Sequence, residues 1–149
     1  ELESHDLLPF DALKLQLGGI MTAHIFFTNI DKEIATFSKF WLQDILRNKM
    51  GFTGIIFSDD LSMKGSEYVG GIEAKVGKAL ESGCNMVLIC NDRPAAIEAI
   101  NFLEKEKISQ SQKVTRLKAS ESISWADLEN DARRIDIIDK LNIIEKLKL

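Results

Sequence analysis

Apolar positions gather into three short runs, "GGIMTAHIFF" (18–27), "TGIIFSDD" (53–60) and "NMVLIC" (85–90). Each run is continuous rather than alternating, and each is bounded by glycine or polar residues. That pattern predicts strands buried on both faces, as in a parallel sheet covered by helices. Ile20 and Ile55 lie 35 positions apart, and Ile55 and Met86 lie 31 apart. This is the repeat length of consecutive βαβ units.

The segments between the runs carry helical spacing. Ser38 is placed to cap "KFWLQDILRNKM", with Phe37 and Leu42 where a hydrophobic staple would stand, and Gly51 follows as a C-terminal cap. "GIEAKVGKALESG" sets Ile72, Val76, Ala79 and Leu80 on one face and ends at Gly83. "PAAIEAINFLEKE" opens with Pro94, a favoured early-helix residue. The predicted order is β-α-β-α-β-α with a parallel sheet, an α/β chain.

Residues 104–123 read as a polar connector. "SWAD" (Ser124 to Asp127) resembles a capping box, and Leu128, Ala132, Ile135 and Ile138 continue at helical spacing. That last helix is expected to pack on the outside of the sheet or against a partner. At the other end, "ELESHDLLPF" leads into a helical stretch, "DALKLQL". The division expected is residues 1–120 as the sheet-bearing part and residues 121–149 as a C-terminal helical extension.

With 149 residues, 45% of them apolar and 28% charged, the chain can bury one core of ordinary size. A net charge of −4 argues against a nucleic-acid surface, and no apolar run is long enough to span a bilayer. Cys84 and Cys90 flank "NMVLI" and read as two buried free thiols rather than a disulfide. Two histidines and no close Cys/His spacing point away from a zinc site.

The chemistry concentrates where "IIFSDD" ends in two adjacent acids. In α/β proteins, ligands gather beyond the carboxyl ends of the strands. Successive strand residues point to opposite faces, so Ile55, Phe57 and Asp59 share one side and Ile56, Ser58 and Asp60 the other. One acid is then placed to act on a ligand. The other is placed to accept backbone N–H groups of the following loop. Asp59 takes the first role in this reading and Asp60 the second.

"ILRNKMGFTGIIFSDDLS" resembles the active-site signature of family 3 glycoside hydrolases. Ile45, Leu46, Arg47, Lys49, Gly54, Ile55, Ile56, Phe57, Ser58, Asp59 and Ser62 fit it. "DLLPF", "IMTAHI", "SDDLSMKG" and "GCNMVLICNDR" resemble its bacterial β-N-acetylglucosaminidase (β-hexosaminidase) branch, which recycles cell-wall muropeptides. The resemblance implies a (β/α)8 TIM barrel, which takes about 250 residues. The chain is then a partial barrel, its strands the sixth to eighth, and the N-terminal part of the barrel is the partner that completes it.

The same resemblance implies a retaining hydrolase acting on an amino-sugar glycoside in the cytoplasm, without cofactor or metal, and inactive as this piece alone. Asp59 is the implied nucleophile. The branch's acid/base is a histidine on a mobile loop, and its sugar-holding Lys-His pair and Arg lie upstream of this chain. His5 in "ESH" stands too close to "DLLPF" to be that histidine and reads as a solvated helix-end residue. His24, at the end of the first strand, is a candidate substrate contact. Arg93 reads as a surface residue, and Met63 and Trp41 as packing residues. Two other classes stay open: a non-catalytic remnant or interaction module with exposed sheet edges, and a Mg²⁺-binding receiver-like domain.

Overall fold

The computed structural model describes residues 2–119 and 121–146, with Glu3 represented by its backbone. The chain divides into two compact units, Glu1–Leu117 and Lys118–Leu149.

The first unit is built on a parallel sheet of β1 (Gly19–Met21), β2 (Ile55–Asp60) and β3 (Met86–Leu88), in the order β1-β2-β3. Gly19, Ile20 and Met21 face Ile55, Ile56 and Phe57. The strands are shorter than the apolar runs because side chains intercept the ladder. Thr22 N–H still donates to Phe57 O at 3.0 Å, but the next donor on β2, Asp59 N–H, goes to Thr22 Oγ1 at 3.0 Å. The chain then turns, and an antiparallel bridge between Phe26 and Ile34 brings it back. His24, expected to end the strand, therefore lies in this turn.

A similar interception shifts the register of β2 against β3 between Phe57 and Asp60. The hydroxyl of fully buried Ser58 accepts Leu88 N–H at 2.9 Å, a bond the backbone would otherwise make.

Ser38 Oγ accepts Trp41 N–H at 3.0 Å and so caps the helix Phe40–Lys49. Phe37 and Leu42 are both buried, and Gly51 closes the end at φ 71°. The helix is wound wider than an α-helix, with Met50 N–H reaching Ile45 O, five residues back, at 2.9 Å. Helix α1 spans Leu8–Leu13, earlier than the expected 11–17, because Pro9 suits a first helical turn. Helix α2 (Ile72–Ser82) buries Ile72, Val76 and Ala79 and ends at Gly83. Helix α3 (Arg93–Lys105) is capped by Asp92, whose carboxylate accepts Ala95 N–H at 3.0 Å. The expected connector contains a 3₁₀ segment, Gln112–Leu117.

The second unit holds α4 (Trp125–Glu129) and α5 (Ala132–Lys146) in place of one continuous helix. Ser124 caps α4 by accepting Asp127 N–H at 3.1 Å. Asn130 leaves helical geometry at ψ 1°, and Asp131 starts α5 by accepting Arg134 N–H at 2.9 Å. An Asn-Asp pair thus stops one helix and caps the next.

The core of the first unit lies between β2, α2 and the helix Phe40–Lys49, with Ile56, Val76 and Leu42 among its members. Ile55 on the opposite face of β2 is equally inaccessible, so both faces of the strand are covered. Full burial of such a side chain stabilises by about 1.5–3 kcal/mol. Cys84 belongs to this core, and burial pushes its thiol up to about 12. Cys90 does not, contrary to expectation: β3 ends at Leu88, and Cys90 is exposed in the loop beyond it. Both cysteines are free thiols.

Two polar ties hold the strand ends. At the N-terminal end, Arg47 donates to Phe52 O at 2.8 Å, Gly54 O at 2.7 Å and Asn85 Oδ1 at 2.8 Å. Asn85 Oδ1 also accepts Ile56 N–H at 3.0 Å, while Asn85 N–H donates to Ile56 O at 2.7 Å. Burial lowers the Arg47 pKa below its ordinary value, and the guanidinium stays charged at neutral pH. At the C-terminal end, Asp60 Oδ1 accepts Ser62 N–H at 2.9 Å, Ser62 Oγ at 2.8 Å and Cys90 N–H at 3.0 Å. Burial alone would raise the Asp60 carboxyl pKa. The hydrogen bonds from Ser62 and Cys90 outweigh it and hold the group below its ordinary value.

Replacing Arg47 with Met should strand the Phe52 and Gly54 carbonyls and lower stability by about 2–5 kcal/mol, read as a lower urea midpoint at unchanged slope. Arg47→Lys should recover little of it, since one ammonium cannot reproduce the planar fork. For Asp60, the folded value lies below the unfolded one. Its contribution is complete above the unfolded carboxylate value of about 4 and is lost as pH falls through the folded value. The stability gap between wild type and Asp60→Asn, followed by urea midpoints, should be widest near pH 6 and narrow as pH falls below about 4. A gap that stays constant with pH would refute this tie.

Candidate active site

The end of β2 puts two carboxylates side by side in sequence and gives them different partners. Asp60 is occupied by Ser62 and Cys90. Asp59 Oδ1 accepts Asp60 N–H at 2.8 Å, and its Oδ2 faces the backbone N–H of His24 at 3.4 Å. Both Asp59 oxygens are therefore met by backbone donors, with no cationic side chain among them. These backbone contacts orient the carboxylate and leave its remaining lone pairs available.

The loop after Asp60 is anchored below the site. Leu61, fully buried, offers its carbonyl to Ser66 Oγ at 2.8 Å and to Lys75 Nζ at 3.0 Å. Ser66 Oγ also reaches Met63 O at 2.8 Å. Met63 itself is 47% exposed, so the packing role expected for it is not what the structure shows. Trp41 does pack against the core, as expected.

His24 stands close to Asp59 through its backbone, and its ring is engaged elsewhere. Nε2 lies 2.9 Å from Asp60 O and Nδ1 lies 3.0 Å from Thr36 Oγ1. Neither ring nitrogen is left over for a ligand in this arrangement. Thr36 Oγ1 in turn lies 2.9 Å from Thr22 Oγ1, which accepts Asp59 N–H. Sequence reasoning overlooked both threonines. Their signal was weak: a hydroxyl beside a strand end in "MTAH" and another in "ATFS", linked only by the turn between them.

The other candidates stay apart. His5 is exposed in the turn after the 3₁₀ segment Leu2–Ser4, with Nδ1 2.8 Å from Ser4 Oγ. Arg93 is exposed at the start of α3. Among the described residues, no three His, Cys, Asp or Glu side chains converge as metal ligands would. The divergent partners of Asp59 and Asp60 give no support to a Mg²⁺ site of the receiver kind. No helix among the described residues is long and apolar enough to cross a membrane.

Known proteins are similar to this chain in sequence and in fold. The family model described as the glycosyl hydrolase family 3 N-terminal domain matches residues 1–120. A beta-hexosaminidase of Idiomarina loihiensis is 42% identical over 135 residues, which cover 89% of this chain and 41% of that protein. A beta-hexosaminidase of Pseudomonas aeruginosa is 42% identical over 118 residues, 79% of this chain and 36% of that protein. Among solved structures, NagZ from Neisseria gonorrhoeae in complex with N-trifluoroacetyl-D-glucosamine superposes with a TM-score of 0.68 at 32% identity. The match covers 87% of this chain and 36% of that one. The beta-N-acetylglucosaminidase from Thermotoga maritima superposes with a TM-score of 0.63 at 33% identity, covering 77% and 27%. The chain thus spans about two fifths of the length of the first curated relatives it matches. The family model spans the whole sheet that carries Asp59, and the chain belongs to glycosyl hydrolase family 3.

Proposed function

We propose that this chain is the nucleophile-bearing part of a retaining β-N-acetylhexosaminidase that releases β-linked N-acetylglucosamine from cell-wall fragments in the cytoplasm. The observation that carries the reading is Asp59: a carboxylate at the C-terminal end of a buried strand, inside the eighteen-residue signature, with backbone N–H groups on both oxygens. The beta-hexosaminidase and beta-N-acetylglucosaminidase names of the relatives supply the substrate class.

In this mechanism, an Asp59 oxygen attacks the anomeric carbon. The glycosidic C–O bond breaks, and the leaving oxygen takes a proton from a general acid. Water then attacks the same carbon, gives up a proton to the base, and frees Asp59. The ionised carboxylate also stabilises the oxocarbenium-like transition state. Family resemblance assigns the acid/base and the sugar-holding residues to barrel segments upstream of this sequence.

The three strands are then the last three of a (β/α)8 barrel. The unpartnered flank of β1 supports this. Met21 is 55% exposed, and an apolar recess of about 180 Å³ is lined by residues including Phe10, Ile20, Phe27 and Trp41. A neighbouring βα unit would cover such a surface, and open sheet edges are otherwise an aggregation hazard. By itself the chain therefore lacks half of its active site. The exposed flank is equally what an interaction module without catalysis would present, and the assay separates the two readings.

A chromogenic N-acetyl-β-glucosaminide should show no turnover with this chain alone and measurable turnover once an upstream barrel segment is supplied. In the complemented enzyme, Asp59→Ala should lower kcat/KM by about 10³-fold or more, and Asp60→Ala by about tenfold with a lower melting temperature. Equal losses would overturn the division of labour between the acids. Binding of the upstream segment without turnover would favour the interaction module.

A further inference from the structure

The polar atoms around Asp59 form a loop whose donor and acceptor directions can be worked out. Asp60 O only accepts, so His24 Nε2, at 2.9 Å, carries the proton. In the neutral ring, Nδ1 is then an acceptor and takes the Thr36 hydroxyl proton at 3.0 Å. Thr36 Oγ1 has spent its only proton, so Thr22 O–H donates to it at 2.9 Å. Thr22 Oγ1 in turn accepts Asp59 N–H at 3.0 Å. All the bonds run one way, from Asp59 N–H through Thr22, Thr36 and His24 to Asp60 O. Both ends of the circuit therefore grip the backbone on either side of the Asp59–Asp60 peptide.

We infer that His24 is a positioning residue for Asp59, acting as the Nε2–H tautomer that closes this circuit through Thr36 and Thr22. The inference rests on the reading of Asp59 as the nucleophile. Its ring is held as a positioning group must be. Phe37 stacks on it at 6.1 Å between centroids and 26° between planes. Gly65 lies so close that a side chain there would come within 2.8 Å of His24 Cβ. Thr36 is fully buried, which keeps water from replacing its bonds. The backbone N–H of the same histidine faces Asp59 Oδ2, so a shift of the His24 main chain would be felt directly at the carboxylate. A misplacement of about 1 Å at a reacting group can cost about 10²-fold in rate.

Two measurements test this. First, the ¹⁵N shifts of the two histidine rings in this chain, assigned with His24→Phe, should show His24 as a single Nε2–H tautomer. Thr36→Val should give a tautomer mixture and Thr36→Ser should keep the single form. An Nδ1–H tautomer in the wild type would overturn the circuit. Second, in the chain complemented with its upstream barrel segment, Thr36→Val should lower kcat by about 10–10²-fold with KM nearly unchanged. Thr36→Ser should recover most of that loss. Thr22→Val breaks the same circuit at another link and should reproduce the kcat loss even where Thr36→Val folds poorly. A rise in KM at constant kcat would mean that His24 touches substrate, and would overturn the positioning role. Retained activity in Asp59→Asn would instead defeat the nucleophile reading, leaving the tautomer result to decide the circuit on its own.

Discussion

The rest of this structure depends on the bonds that Arg47 and Asn85 make beneath the sheet. One guanidinium spans Phe52 O, Gly54 O and Asn85 Oδ1, and Asn85 pairs with Ile56 through both its side chain and its backbone. These groups belong to the end of one helix, the loop into β2 and the loop into β3. They lock the two crossovers at a common height. A parallel sheet has no tight hairpin to set its register, so long connections must be pinned by side chains. With the lower ends of β2 and β3 pinned, the upper end of β2 has a defined height, and Asp59 is delivered there.

At that upper end the same economy of side-chain bonds works against regular pairing. Ser58 takes Leu88 N–H and Thr22 takes Asp59 N–H, so the ladder is interrupted on both sides of β2 just before the acids. The interruption separates their tasks. Asp60 joins the β2 and β3 loops through Ser62 and Cys90, and Asp59 keeps only backbone donors. Bulges beside functional residues commonly re-aim a side chain in this way. A carboxylate consumed by loop hydrogen bonds is a poor nucleophile, and one with free lone pairs is a poor staple. Adjacent identical residues can therefore serve unrelated ends.

Much of this was legible in the one-dimensional pattern. Continuous apolar runs marked β1, β2 and β3, although of the three only β2 has both faces covered: β3 is half-buried and Met21 of β1 is exposed. Ser38, Gly51 and Gly83 marked helix ends, because caps act through neighbours a few residues away. The break at Asn130 and Asp131 was overlooked, although the Asn-Asp pair that makes it is local. The exposure of Cys90 was not legible, since it follows from β3 ending at Leu88, set by pairing with a distant strand.

Local chemistry along the chain was thus enough to establish the α/β order, the strand-end acids and the family signature, since periodicity, capping and motif spacing are short-range properties. The placement of His24 was decided only in three dimensions. Its sequence position suggests a strand end facing a ligand. Its ring instead turns inward because Thr36, brought back by the Phe26–Ile34 bridge, and the Asp60 carbonyl satisfy both nitrogens. Hydrogen-bond partners separated by 12 and 36 residues leave no periodic trace in a sequence, and burial makes their satisfaction compulsory.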